Sequence, residues 1–519
     1  MRRSFKRFKW VGLTVLLGAL LMGQLGGQLA QGEEPVRLVF AQGTDAETLD
    51  PHSITSSPNA IHIEAIYDTL VTYDKNLSIV PRLAKDWKVS EDGMTITFYL
   101  REDVTFHDGT PFNAEAVVFN INRLLDPETK VPLRTYIGFV ESARVIDEYT
   151  VEVKLEYPHG PALHRFTAPV NAMVSPAAVE KYGADFGRHP VGTGAFEFVE
   201  WARDDYILLK KNENYWGDGP YVDELLIRVV PEDGARVLML EAGEADVIVR
   251  VPPPDVPRLK ARDDIEVVVA PSTRVIYIGM NNQHEILNDL RVRQAINYAV
   301  NKQAIVEVLL QGYASVMDSP LTPQYFAYKS VGQYAYNPEL AKALLREAGY
   351  PKGFEITLFT PKGRYLMDYR IAEAIQGYLG SVGIAAQIKT MEWATYISTV
   401  LKPLEESPLE LYLLGWGPWI LDPDQQLYAM YHSSQWPPSG FNASFYKNDR
   451  VDELLQIGTS NPDQDARREA YTEAQQLIWE DAPWLFLHYE QQIVAMRSNV
   501  KGVLILPIEV LHFGEARKE

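Results

Sequence analysis

His107 and Asp108 stand side by side in "FHDGTPFNAEAVVFN", residues 106–120, a pairing that suits a general base, half of a metal site, or a tight turn. The local context favours the turn. Val104-Thr105-Phe106 reads as strand, Asp108-Gly109 is a favoured two-residue bend, and Asn113 is placed to cap a helix beginning at Ala114. No catalytic set accompanies the pair: the chain has no Gly-x-Ser-x-Gly elbow, no phosphate-loop lysine, no His-Glu-x-x-His and no cysteine. The ten histidines are scattered, and His159 and His164 lie at a spacing that matches no standard ligand pair, so neither a structural metal nor a cofactor is expected. "GTGAF" at 192–196 runs into a strand instead of a helix and lacks the third glycine of a dinucleotide fingerprint.

The second concentration of chemistry is "LYLLGWGPWILDPDQQLY", residues 411–428. Trp416 and Trp419 sit among glycine, proline and the carboxylates Asp422 and Asp424, in a stretch too irregular for a helix. Exposed indole planes beside acids suit a ligand with apolar or cationic groups, or the faces of sugar rings. The alternative is core packing by the indoles and helix capping by Asp422 or Asp424 ahead of "QQLYAMY".

These residues need a scaffold, and the pattern around them predicts one. Alternation of Met94, Ile96, Phe98 and Leu100 with polar residues marks a hairpin, repeated in "ARVIDEYTVEVKLE" and "GAFEFVEWARDDYILLKKN". From about residue 280 the period becomes helical: Val292, Ala295, Ile296, Ala299 and Val300 follow a cap at Asn288 or Asp289. In "YNPELAKALLREAGY", Asn337 is an N-cap, Pro338 the first helical residue and Gly349 the stop. "FEITLFT" followed by "DYRIAEAIQGYLGSVGI" alternates strand and helix, as in an α/β lobe. Pro252-Pro253-Pro254 reads as a rigid surface connection.

Arg2, Arg3, Lys6, Arg7 and Lys9 precede the apolar run Val11–Met22 and the small-residue site Ala30-Gln31-Gly32, the order of a secretory signal. Cleavage there leaves 487 of 519 residues, enough for two or three domains held by burial alone, since cysteine is absent. The absence of cysteine also excludes a lipid-modified cysteine, so a freely diffusing periplasmic protein is expected. Without the five basic leader residues the balance is 44 basic against 69 acidic, or −25, a charge that repels nucleic acid and anionic lipid.

Several strings resemble the solute-binding proteins of ABC importers in the oligopeptide, dipeptide and nickel family: "TLDPH", "IYDTLVTYD", residues 83–120, "GTGAFEF", "NENYWGDGPYVDEL", "RVRQAINYAVNK" and "LLGWGPWILDPD". The resemblance spans the mature chain and implies a two-lobed periplasmic-binding-protein fold (class II type) with an extra subdomain in the first lobe. It implies a signal peptide over 1–32, lobe I over 33–279 plus 487–519 and lobe II over 280–486. Two hinge crossings are implied, near Ile276–Asn282 and Leu485–Tyr489. The implied role is non-catalytic capture of a solute for the permease subunits of an inner-membrane transporter, by a monomer. The implied pocket draws on Thr55, Ser56 and Ser57, on Arg364 and Arg370 for a ligand carboxylate, and on the Gly-Trp loop. In peptide-binding members an aspartate three residues after that tryptophan grips the ligand's α-amino group; here that spacing falls on Trp419, and the first acid is Asp422. A peptide, an oligosaccharide and a nickel or other metal chelate therefore remain open as ligands, and an exported hydrolase using His107 and Asp422 stands as the rival class.

Overall fold

A computed structural model describes residues 35–519 apart from Glu392; the expected leader and its cleavage after Gly32 lie outside the described residues. Val36–Glu519 is one compact unit. Its backbone is an eleven-stranded mixed sheet. In chain order the strands are β1 (Arg37–Gln42), β2 (Phe196–Ala202), β3 (Tyr206–Lys211), β4 (Glu224–Val229), β5 (Val247–Val249), β6 (Ile265–Met280), β7 (Ala314–Val316), β8 (Phe354–Thr360), β9 (Ile384–Thr390), β10 (Leu411–Trp416) and β11 (Trp484–Arg497). The spatial order is β9-β8-β10-β6-β11-β5-β1-β4-β3-β2, with β7 pairing β11.

β6 and β11 run antiparallel through the middle of this sheet for 16 and 14 residues. Their ladder slips between Pro271 and Val275, where proline cannot donate to it. The apolar clusters change at the same place. Residues of β6 before Pro271 and of β11 from Ile493 onward pack with β1, β4 and β5, whereas Val275–Met280 and Trp484–Tyr489 pack with β8, β10 and the helices that follow residue 280.

β1 lies parallel to β4 and β5, and β8 lies parallel to β9 and β10. The carboxyl ends of β1, β5 and β8 lead into loops that border a single cleft, the place where open α/β sheets bind ligands. The mixed α/β class read from the sequence is the class observed.

Local signals translate directly into elements. The three hairpins form as Ala84–Val89 with Thr95–Leu100, Val140–Asp147 with Thr150–Leu155, and β2 with β3. The first two join into a separate four-stranded antiparallel sheet. Helix Ala114–Leu125 buries Ala116, Val117, Ile121 and Leu124, and Asn113 Oδ1 caps it by accepting from Ala116 N at 3.0 Å. Asn337 does the same for helix Pro338–Glu347.

Three expectations change. Val104–Phe106 forms only an isolated bridge, Thr105 to Pro111, because the bend returns the chain at once into helix Ala114–Leu125. The helix starting at Leu290 stops at Ala299: Val300 is extended, and Asn301 starts a fresh turn by capping Ala304 N, so the apolar period read through Val300 overstates the helix. Pro252, Pro253 and Pro254 are more than a surface connection, for all three line the cleft.

Candidate functional site

The cleft has a volume of about 660 Å³, within the size range of small-molecule sites. Gln42–Thr44 after β1, Val249–Pro254 after β5, Lys362–Arg370 after β8, Arg274 of β6 and Glu490–Val494 of β11 form its walls, with Glu509 and Leu511 from the C-terminal segment. Arg274 therefore sits at the slipped part of the central ladder, opposite Glu490 on the neighbouring strand.

Charge is organised unevenly around this space. Arg274 is the buried centre: its Nε donates to Glu509 Oε1 at 2.7 Å, its Nη2 to Glu509 Oε2, and the same Nε lies 3.3 Å from Glu490 Oε2. Burial opposes ionisation of Glu509, yet the Arg274 charge and hydrogen bonds outweigh it and hold the carboxyl at about 2. Burial dominates for Glu490, whose pKa is raised despite Arg274. Arg370 pairs with Glu373 at 3.1 Å, and Asp368 accepts from the backbone N–H groups of Gly363, Arg364, Tyr365 and Tyr369, which fixes the loop that carries Arg364.

Arg364 differs from these. Its guanidinium lies 5.0 Å from the Tyr365 ring centre and 4.9 Å from that of Trp393, a stacked arrangement. Neither it nor Arg250 forms an ion pair or side-chain hydrogen bond among the described residues. Burial, joined by the charges of Arg274 and Arg250, lowers the Arg364 pKa, while Tyr365 and the Glu509 carboxylate oppose the shift.

Glycines of the Gly-Trp-Gly stretch set the distance between this loop and its neighbours. A Cβ on Gly415 would lie 2.7 Å from the Tyr365 ring, and one on Gly417 would lie 3.2 Å from the Arg274 guanidinium. Tyr365 also donates its hydroxyl to the Gly415 carbonyl at 3.2 Å.

Of the eight residues marked in the sequence, Ser57, Arg364 and Arg370 line the cleft. Thr55 and Ser56 donate their hydroxyls to Glu47 at 2.7 and 2.6 Å and are not among the lining residues. Nor are the Gly-Trp loop residues. Trp416 donates Nε1 to the Gln425 carbonyl at 3.0 Å and packs on Phe441. Trp419, only 4% exposed, donates Nε1 to Ser57 Oγ at 3.2 Å and lies against Tyr136. Asp422 is fully buried, caps helix Pro423–Tyr431 and accepts two hydrogen bonds from Arg467.

His107 and Asp108 make the expected turn and tie it to Gly194 and Ser175. Gly109 sits at φ +80°, Asp108 accepts from Thr110 and Ser175, and His107 donates Nε2 to the Gly194 carbonyl at 2.9 Å while burial lowers its pKa.

The sequence reading missed Arg250, Arg274, Glu490 and Glu509. A signal existed for two of them: Arg274 heads the apolar run to Met280, and Glu490 interrupts that from Trp484 to Met496, and a charge within an apolar strand must find a partner. Nothing local marks Arg250 or Glu509.

This cleft, at the carboxyl ends of strands on both sides of a two-strand connection, belongs to a chain whose residues 78–438 match the model of the bacterial extracellular solute-binding proteins, family 5, middle region. The chain belongs to that family. Among the family's curated members, the glutathione-binding protein GsiB of Escherichia coli O157:H7 is 34% identical over 481 residues, covering 92% of this chain and 94% of the relative. GsiB of Salmonella typhi is 33% identical over the same shares. Two solved family structures match over almost their full length. The periplasmic binding protein DppA from Helicobacter pylori, in complex with the peptide STSA, has a TM-score of 0.82 and 31% identity, covering 93% of this chain and 99% of that one. The dipeptide-binding protein from Pseudoalteromonas sp. SM9913, in complex with Met-Leu, has a TM-score of 0.83 and 25% identity, covering 93% and 100%. Family 5 is a solute-binding family, not an enzymatic one, in keeping with the structural roles of His107 and Asp422.

Proposed function

We propose that this family 5 protein captures a peptide-type solute in the Arg364 cleft and delivers it to the permease of an ABC transporter from the periplasmic side. The observation that carries the reading is the stacked, unpaired Arg364 guanidinium on the wall of a 660 Å³ cleft, a receptor for a carboxylate. Ligands named for the relatives, glutathione and short peptides, carry such groups. The sugar reading depends on two open indole faces, and the packing of Trp416 on Phe441 and of Trp419 on Tyr136 gives it no support.

The change of apolar cluster along β6 and β11 supports lobes over 33–279 plus 487–519 and over 280–486, with the two long strands as the crossings. Closure of such lobes removes water from the solute and strengthens each polar contact in the cleft. No helix among the described residues is long and apolar enough to cross a membrane. Export by the leader, release as a free periplasmic protein and a monomeric state complete the reading.

Native mass spectrometry of the protein purified without denaturation tests it. A trapped solute with a peptide-type mass, released on unfolding, is expected. An oligosaccharide as the sole trapped species would overturn it.

A further inference from the structure

A seam of contacts joins residues 33–279 to residues 280–486 beside the cleft and apart from its lining. Trp419, Ile420 and Leu421, from the segment after β10, pack into the apolar cluster built on β1 and the N-terminal helices. Trp419 Nε1 donates to Ser57 Oγ at 3.2 Å, and the Leu421 N–H donates to the Tyr73 hydroxyl at 2.9 Å. Arg165 donates Nη1 to Gln425 Oε1 and Nη2 to Asp424 Oδ2, while Asp424 Oδ1 accepts from the Thr459 hydroxyl. The Gly160 N–H donates to the Thr459 carbonyl at 2.8 Å, and Gly160 leaves no room for a Cβ against Arg467 Nε. Arg165, Trp419, Leu421 and Asp424 are buried. Of the residues in this seam, Ser57 alone lines the cleft. The rest of the seam is made by protein groups on protein groups, with nothing in it for a solute to supply.

We propose that this seam is a latch that holds the two lobes shut whether the cleft is filled or empty, so that solute enters through a small open population. The inference rests on the two-lobe reading and is independent of the solute's chemistry. Parting the lobes exposes three apolar side chains, and a bias of about a hundredfold toward the shut form takes less than the burial of two such side chains supplies. The Arg165–Asp424 pair acts differently. Both charges regain water when the lobes part, so the intact pair adds little to the bias. Removing Arg165 alone strands a buried carboxylate in the shut form and leaves it hydrated in the open one. A bias that is equal with and without solute cancels from the affinity as long as the empty protein stays mostly shut. The latch therefore slows entry and exit alike, and sets how fast solute exchanges more than how tightly it is held.

Hydrogen exchange on the full protein, stripped of co-purified solute and read by mass spectrometry, tests the latch at the Gly160 and Leu421 amides, both of which donate across the seam. Small-angle X-ray scattering on the same sample reports whether the lobes part. We expect both amides to be protected in the stripped protein and its scattering to match the shut form. Arg165→Gln should speed exchange at both amides by at least about tenfold and raise the radius of gyration, while the amides of the β6–β11 ladder keep their wild-type protection. If Arg165→Gln does not fold, Tyr73→Phe, which deletes one hydrogen bond across the seam, should give a smaller rise in the same pattern. Fast exchange at both amides in the stripped wild-type protein would overturn the latch. So would a folded variant in which both stay protected, whatever its scattering shows, because the segment after β10 would then move with the first lobe. Equal acceleration throughout the β6–β11 ladder would also overturn it, as the mark of general destabilisation. A trapped sugar in native mass spectrometry would remove the peptide reading and leave the latch standing.

Discussion

Arg467 donates one Nη2 group to both carboxylate oxygens of Asp422, at 2.7 Å each, with the aspartate side chain wholly out of solvent. Burial pushes the Asp422 pKa up, but the charges of Arg467 and His164 outweigh it and hold the carboxyl below its usual range. A depressed folded pKa means that the pair contributes stability above the unfolded aspartate value near about 3.9, and loses it as pH falls through the folded value. Asp422→Asn strands a buried guanidinium and should cost about 3–5 kcal/mol in denaturant unfolding at pH 7. The difference from wild type should shrink below about pH 4. An unchanged midpoint at pH 7 would show that the pair contributes nothing.

Trp419 holds its place by packing and by one hydrogen bond to Ser57. Trp419→Phe retains most of the apolar burial and loses the Nε1 donor, so stability should drop by about 1 kcal/mol and solute affinity should change by less than about tenfold. A collapse of affinity with stability intact would place the indole on the solute after all.

Gly415 leaves no room for a side chain against Tyr365. Gly415→Ala forces the ring, and with it the Arg364 loop, to shift. Overpacking of this kind costs about 1–3 kcal/mol. Thermal unfolding should show that loss, and a titration should show weaker solute binding from the displaced guanidinium. Tight binding unchanged from wild type would mean that Arg364 is positioned independently of Tyr365.

Lys302 is buried, donates Nζ to the carbonyls of Asn297 and Tyr334, and has its pKa lowered to about 7 by desolvation alone. The unfolded chain keeps the ordinary lysine value near about 10.4, so between pH 7 and 10 the unfolded state binds more protons and this group's contribution to stability rises with pH. Lys302→Met should flatten that part of the stability profile, measured by denaturant unfolding at pH 7, 8.5 and 10. Parallel profiles for the two proteins would rule out a proton lost in the folded state.

Much of the fold was legible because its signals are local. Asn113, Asn337 and Asp289 cap helices within three residues of themselves, and the three hairpins turn within a few residues. The candidate site is different in kind. Ser57 and Trp419 meet across 362 positions, and Arg274 and Glu509 across 235, so no window of sequence contains the pair. Arg364 was legible through family likeness alone. In isolation "KGRYLMDYR" looks like a solvated face, and what distinguishes its arginine is the stack on Trp393 and the absence of a counter-charge, both products of tertiary placement. The Gly-Trp loop drew attention for its indoles and acids, yet its chemistry is spent internally, on Gln425, Ser57 and Arg467.

Trp419, Ile420 and Leu421 belong by sequence to the segment after β10 but pack in the apolar cluster built around β1 and the N-terminal helices. They fill a socket in the other half of the molecule, and burying three such side chains is worth several kcal/mol. The two halves are therefore poor candidates for dissection. A fragment ending before β6 would present an open greasy socket to water, and the complementary fragment would carry the loose plug, so each piece should cling to apolar dyes and aggregate where the intact chain melts as one body.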